Sequence, residues 1–279
     1  MTQRVQVDGM HLRVRVQGSG RPLLLVMGIG GNIEMWDPLV DALDGFETIA
    51  FDAPGTGESS RPRRPLWMTG LAHVVERLLD SLAYSTVDVL GVSFGGALAQ
   101  QLALQAPDRV RRLVLASTSC GLGSIPGNPL VLLALASPLR YRSARCTRLI
   151  APHLYGGELL RDPIALDRHL QDRAARPPSV AGYAYQLLAA AGWSSLPFLQ
   201  RIRQPTLVMA GDRDPIVPLV NARVLAARIP DARLHVFRGA GHLFLAERPA
   251  EVAAVLETFL RPVESVTDDL QGKEHKGRT

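Results

Sequence analysis

Short runs of mostly apolar residues recur at 23–27 (LLLVM), 48–51 (TIAF), 87–90 (VDVL), 110–115 (VRRLVL), 206–210 (TLVMA) and 234–237 (LHVF). Runs of this length bounded by turn-forming residues read as strands, and a continuous run such as 23–27 reads as one buried on both faces. Between them, 36–43, 71–82, 94–106, 221–228 and 251–260 carry apolar residues at helical spacing. Strands alternating with helices predict an α/β fold, a mostly parallel sheet with helices on both faces. The N-terminus differs. Residues 5–7 and 12–16 alternate apolar with polar positions around Asp8-Gly9, which predicts a β-hairpin.

From about Cys120 to Leu199 the pattern changes. Pro, Gly and Arg become frequent, no strand-like run occurs, and 130–136, 144–150, 164–175 and 183–191 read as short helices. The expected organisation is a core of 1–118 and 200–262 interrupted by a helical cap insertion, 119–199, lying over the strand ends. Residues 263–279 are polar and charged and read as a disordered tail.

Composition narrows the class. In 279 residues, 47% hydrophobic and 20% charged content fits a globular chain with one large core. The net charge of +5 comes from scattered arginines, which disfavours nucleic acid as a partner. The basic stretch 61–65 (RPRRP) reads as a solvated loop. Two cysteines, Cys120 and Cys146, give no disulfide framework and suit reduced thiols in the cytoplasm. The opening MTQRVQVDGMHLRVRV has no apolar signal region, and the longest apolar run, 130–136, is far short of a membrane span, so no transmembrane segment is expected.

The chemistry centres on Gly91-Val92-Ser93-Phe94-Gly95, a G-x-S-x-G pattern with a strand before it and a helix after it. This is the context of a nucleophile elbow, in which the serine is exposed on a sharp strand-to-helix turn. A serine hydroxyl needs a base, and the base needs an orienting acid. Of seven histidines, His242 alone follows the last core strand on a Gly239-Ala240-Gly241 turn, making it the expected base. His235 reads as an ordinary strand side chain. The loop after 206–210 offers Asp212 and Asp214. Asp214, farther out, is the favoured acid, while Asp212 suits capping of backbone amides. The loop after 110–115 has no carboxylate. Two backbone N–H donors are required for an oxyanion. Phe94 should supply one and Ile29, in the Gly28-Ile29-Gly30-Gly31 loop, the other, with Gly28 permitting close approach of substrate.

Taken together, Asp52-x-Pro54-Gly55-x-Gly57-x-Ser59, the GVSFGG elbow, the GDRDPIVP loop and the GAGHLF turn resemble the α/β-hydrolases of the lipase/esterase type. The stretches GIGGN, ASPLRY, IAPHLYGG and IRQPTLVMAGDRDPIVPL are most similar to the intracellular medium-chain-length poly(3-hydroxyalkanoate) depolymerases. That family commonly has Trp where this chain has Phe94. The resemblance implies a serine ester hydrolase with a triad of Ser93, Asp214 and His242, acting on a storage polyester at a granule surface. Apolar and aromatic residues of the insertion, including Leu132, Leu133, Leu154, Tyr155, Tyr183, Tyr185, Trp193 and Phe198, are expected to help form a hydrophobic acyl channel, with Trp193 touching substrate. No metal and no organic cofactor are expected. Two other readings share these residues: a small-ester or C–C bond hydrolase, and a non-catalytic ligand-binding protein of the same fold. Oligomeric state is left open.

Overall fold

The computed structural model describes residues 1–137, 144–157 and 163–261. The 263–279 tail and the Cys146 thiol lie outside the described residues. Strands β1 (Thr2–Val7) and β2 (Met10–Gly18) form the expected hairpin. Strand β3 (Arg21–Val26) leads to a 3₁₀ turn at Ile33–Trp36 and a four-residue helix α1 (Asp37–Val40). The single helix expected over 36–43 is therefore replaced by two short turns. Pro38, which has no N–H to donate, stands at the start of α1. Strand β4 (Phe46–Phe51), helix α2 (Met68–Ser81), strand β5 (Val87–Val92), helix α3 (Phe94–Gln105) and strand β6 (Val110–Ala116) follow.

Between β6 and β7 lie α4 (Pro129–Ala136), α5 (Ala144–Tyr155), α6 (Pro163–Ala175) and α7 (Val180–Ala191). Then come β7 (Thr206–Gly211), α8 (Leu219–Arg228), β8 (Ala232–Phe237), α9 (Phe244–Glu247) and α10 (Pro249–Leu260). The eight strands form one sheet in the order β1-β2-β4-β3-β5-β6-β7-β8. Pairing is antiparallel at β1/β2 and β2/β4 and parallel elsewhere.

The central strands are apolar on both faces because each face has its own core. Leu24, Val89 and Leu113 pack with α2 and α3 on one side, and Leu23, Leu90 and Val114 pack with α10 on the other. A separate cluster, including Val131, Leu154, Leu166 and Leu170, joins α4, α5 and α6 to Ile216 beyond β7. Parallel strands end on the same side, so the loops after β3, β5, β7 and β8 gather at one edge of the sheet. In open α/β sheets that edge is where ligands bind.

Asp52, at the end of β4, accounts for the local loop geometry. It is fully buried, accepting from the Ile33 N–H at 2.9 Å and the Glu58 N–H at 3.0 Å, with Arg13 at 3.3 Å. Burial raises its carboxyl above the usual range, outweighing the Glu58 and Ile33 N–H groups and Arg13. Burial also opposes charge on Glu34, but hydrogen bonds from Arg13 and the backbone, with Arg176 nearby, hold that carboxyl low.

Arg176 bridges segments. It donates to Glu34 at 2.8 Å and Glu58 at 2.6 Å, and the buried Asn32 amide donates to the Asp172 carbonyl at 2.8 Å. The end of α6 is thereby fixed over the loop after β3. The 61–65 stretch is a loop whose three arginines are exposed. Among the described residues, no helix is long and apolar enough to cross a membrane.

Candidate active site

Ser93 is the single residue between β5 and α3, with φ 55° and ψ −117°. A side chain in such a conformation costs on the order of 1–3 kcal/mol and persists only where its surroundings enforce it. They do so here. The Ser93 N–H donates to the Ala116 carbonyl at 2.9 Å, and its carbonyl accepts from the Thr118 hydroxyl at 2.7 Å. A Cβ at position 95 would overlap the Val26 carbonyl, so only glycine lets α3 start this close to β3.

The acid and the histidine meet on the neighbouring loops. Nδ1 of His242 lies 2.7 Å from Oδ2 of Asp214, and both residues are buried. The other oxygen of Asp214 accepts from the N–H groups of Ile216 at 2.8 Å and Val217 at 2.9 Å. This carboxylate is therefore held at both ends. Asp212 turns elsewhere and accepts from the Gly239 N–H at 2.7 Å. His235 lies in β8 with its ring 4.6 Å from that of Phe237.

His242 is also fixed through its backbone. Its N–H donates to the Tyr155 carbonyl at 2.8 Å, and its carbonyl accepts from the buried Ser117 hydroxyl at 3.1 Å. The Tyr155 contact comes from the end of α5, where Gly156 and Gly157 take φ of +63° and +72°. A Cβ on Gly156 would overlap the Arg213 carbonyl, and one on Gly157 would overlap the Gly241 nitrogen. Backbone thus meets backbone, and one segment braces the acid loop and the histidine loop together.

Two cavities share Ser93 and Ile29. The first is lined by Met27, Gly28, Leu135, Tyr155 and His242 among others. The second is lined by Phe94, Ala97, Thr118, Ala190, Trp193 and Val217. Gly28 stands against Ser93, since a Cβ there would lie 3.4 Å from that of Ser93. Gln186 of α7, also buried, accepts from the Gly30 N–H at 2.7 Å and holds this loop from above. Phe94 opens α3, where the first N–H groups take no partner from within the helix. Trp193 is buried and donates from its indole to Gln101 at 2.9 Å. Of the other insertion residues singled out from the sequence, Leu154 and Tyr183 are buried in packing, whereas Leu133 and Phe198 are exposed.

Sequence reasoning missed His169 and Arg173, both buried in the wall of the first cavity. Their helix, PIALDRHLQDRAA, is rich in polar residues, and the sequence reading of 164–175 gave only a short helix. The signal was present in its spacing. Leu166 and Leu170 mark the inward face, and residues three or four positions away on a helix share that face, which here includes His169 and Arg173. Arg173 donates to the Tyr155 hydroxyl, and the Tyr155 and His169 rings meet edge-on at 5.5 Å. Among the described residues, no three His, Cys, Asp or Glu side chains gather to hold a metal ion.

This sheet order, the strained elbow and the paired loop residues define an α/β-hydrolase architecture. Residues 21–249 match the family model of the alpha/beta hydrolase fold, and the chain belongs to that family. It is 46% identical over 261 residues to a poly(3-hydroxyalkanoate) depolymerase of Ectopseudomonas oleovorans, covering 92% of this chain and 91% of that one. Among solved structures, a hydrolase from Pseudomonas aeruginosa PA01 superposes with a TM-score of 0.81 at 31% identity, covering 94% of this chain and 98% of that one. The enol-lactonase from Burkholderia xenovorans LB400 gives a TM-score of 0.80 at 26% identity, covering 92% and 99%.

Proposed function

We propose that the chain is a serine ester hydrolase acting on medium-chain poly(3-hydroxyalkanoate) or its oligomers, with Ser93 as nucleophile, His242 as base and Asp214 as orienting acid. The observation that carries this reading is the Asp214–His242 pair, 2.7 Å apart, with His242 and the strained Ser93 lining one cavity. His242 takes the hydroxyl proton as Ser93 Oγ bonds to the ester carbon. The N–H groups of Phe94 and Ile29 hold the oxyanion. The carbon–alkoxy bond breaks, the alkoxide receives the proton from His242, and water repeats the sequence to release the acid.

The polyester assignment rests on the 46% identical relative and on the surface of the insertion. Residues 119–199 serve as a cap over the site. In it α4 is apolar throughout, with Leu130 and Leu133 76% and 70% exposed. Such an outer face suits contact with a water-insoluble polyester granule. The test is a turnover panel of p-nitrophenyl acetate, butyrate and octanoate beside emulsified medium-chain and short-chain polyhydroxyalkanoate. Each buried methylene contributes about 0.8 kcal/mol, roughly threefold to fourfold in kcat/KM when realised in the transition state. Specificity rising from acetate to octanoate, with release of hydroxy acids from the medium-chain polymer, is the expected result. Specificity falling steadily toward octanoate, with no attack on polymer, refutes it and favours a small-ester hydrolase.

A further inference from the structure

The Ile29 N–H proposed for the oxyanion lies in a loop whose own residues do not fix its shape. The Gly31 N–H donates to the Gly28 carbonyl at 3.0 Å, closing a four-residue turn in which Gly30 has φ +66°. Positive φ at the third residue marks a type II turn. The commoner type I turn keeps the same ends and differs by a flip of the central peptide, here Ile29–Gly30. Glycine takes either sign of φ readily, so Gly30 does not choose between the two. Its N–H belongs to that central peptide, and planarity makes the direction of the N–H fix the whole plane.

The partner of that N–H comes from the insertion. Gln186 is 2% exposed, on the inward face of α7 with Gly182, Tyr183 and Ala189, and its side-chain oxygen accepts from the Gly30 N–H at 2.7 Å. Gly30 is itself buried, so without an acceptor at this place its N–H is stranded away from water. A flip of the peptide or a shift of the loop is then the route to a new partner. The helix that carries Gln186 is seated firmly. One turn earlier, Gly182 meets Gly55 backbone to backbone, where a Cβ on either would overlap the other, and the Ser179 N–H donates to the Gly55 carbonyl at 3.2 Å.

We infer that Gln186 is a positioning residue for the oxyanion donor: by accepting from Gly30 it holds the turn that presents the Ile29 N–H beside Ser93. The inference rests on the ester hydrolase reading above. Ile29 and Ser93 line the same two cavities, and the Ile29 N–H stands one Cα away from the peptide that Gln186 holds. Movement of that peptide is therefore passed directly to the donor, and a displacement of about 1 Å in a positioned group can cost about a hundredfold in rate. The oxyanion site then has two supports of different origin. Phe94 is placed by the core elbow and Ile29 by a side chain of the insertion.

The test uses the whole chain with p-nitrophenyl butyrate. Gln186→Met keeps the reach of the side chain and removes the acceptor. Its kcat should fall about tenfold to a hundredfold, short of the 10²–10³ lost when an oxyanion donor is deleted outright. KM should stay within about threefold, because the oxyanion forms only after substrate is bound. The second readout is inhibition by an alkyl trifluoromethyl ketone. Ser93 Oγ bonds to its carbonyl carbon, His242 takes the hydroxyl proton, and the carbonyl oxygen becomes an anion in the oxyanion site. Its inhibition constant should rise by about the factor by which kcat falls. Unchanged kcat, a loss carried by KM alone, or a fall in kcat with ketone inhibition unchanged overturns the inference and leaves Gln186 a packing residue. A wild type that neither hydrolyses the ester nor binds the ketone overturns the hydrolase reading and this inference with it. Should Gln186→Met fail to fold, Gln186→Leu, which also lacks an acceptor, is read by the same two measurements.

Discussion

Asp214→Asn is the substitution whose outcome is most sharply set by geometry. The amide is isosteric, so packing is retained. Its orientation is not free, because the Ile216 and Val217 N–H groups both point at Oδ1 and demand an acceptor there. The amide oxygen must occupy that position, which turns the NH₂ group toward Nδ1 of His242, 2.7 Å away in the wild type. Nδ1 then has to accept, the ring proton moves to Nε2, and the imidazole can no longer take the Ser93 proton. A comparable tautomer reversal in another serine hydrolase costs about 10⁴ in rate, or about 5.4 kcal/mol of transition-state stabilisation. Asp212→Asn differs in one respect that decides the matter: its carbonyl can still accept from Gly239, while Nδ1 of His242 pairs with Asp214 instead. The expected loss there is less than about threefold, since a backbone acceptor is retained. The assay is kcat/KM on p-nitrophenyl butyrate, with Tm measured for both variants. Asp214→Asn retaining a tenth of wild-type activity, or Asp212→Asn falling as far, would refute the assignment of the acid.

Ser93→Ala should lower kcat by roughly 10⁶ and abolish labelling by a fluorophosphonate probe while Tm stays close to wild type; wild-type-like turnover would remove Ser93 from its role. Gly156→Ala forces a Cβ at φ +63° into the Arg213 carbonyl, so it should cost about 1–3 kcal/mol of stability and reduce kcat through both bracing loops. A thermal melt with steady-state kinetics checks this, and an unchanged kcat would show that α5 does not position the histidine.

The central strands were legible because burial on both faces leaves apolar runs that no other element mimics at that length. Their ends were not. Residues such as Arg21, Glu47 and Arg233 are polar and yet pair in the sheet, since backbone hydrogen bonds continue past the last core side chain. The 3₁₀ turn at Leu196–Arg201 and the split of 36–43 escaped notice because local backbone geometry, not periodicity, decides them. Ser93, Asp214 and His242 stood out as candidates because the proposed chemistry demands those residue types just past strand ends, and the structure brings Asp214 and His242 within 2.7 Å of each other. Arg173 and His169 were marked only by their spacing from Leu166 and Leu170, a weak signal in so polar a helix, and tertiary packing was needed to place them and Gln186.

The brace formed by Tyr155, Gly156 and Gly157 bears on how this protein can diversify. A cap attached only at its two chain junctions could be exchanged wholesale, with specificity following the graft. Here the carbonyl that seats His242 comes from residue 155, inside the proposed cap, and the fit against Arg213 and Gly241 has no room for a side chain. On the proposed reading, replacing the whole segment would remove a support of the catalytic histidine together with the specificity surface. New substrate preferences are accessible by drift in α4, α6 and α7, whereas the last turn of α5 is inherited with the reaction itself.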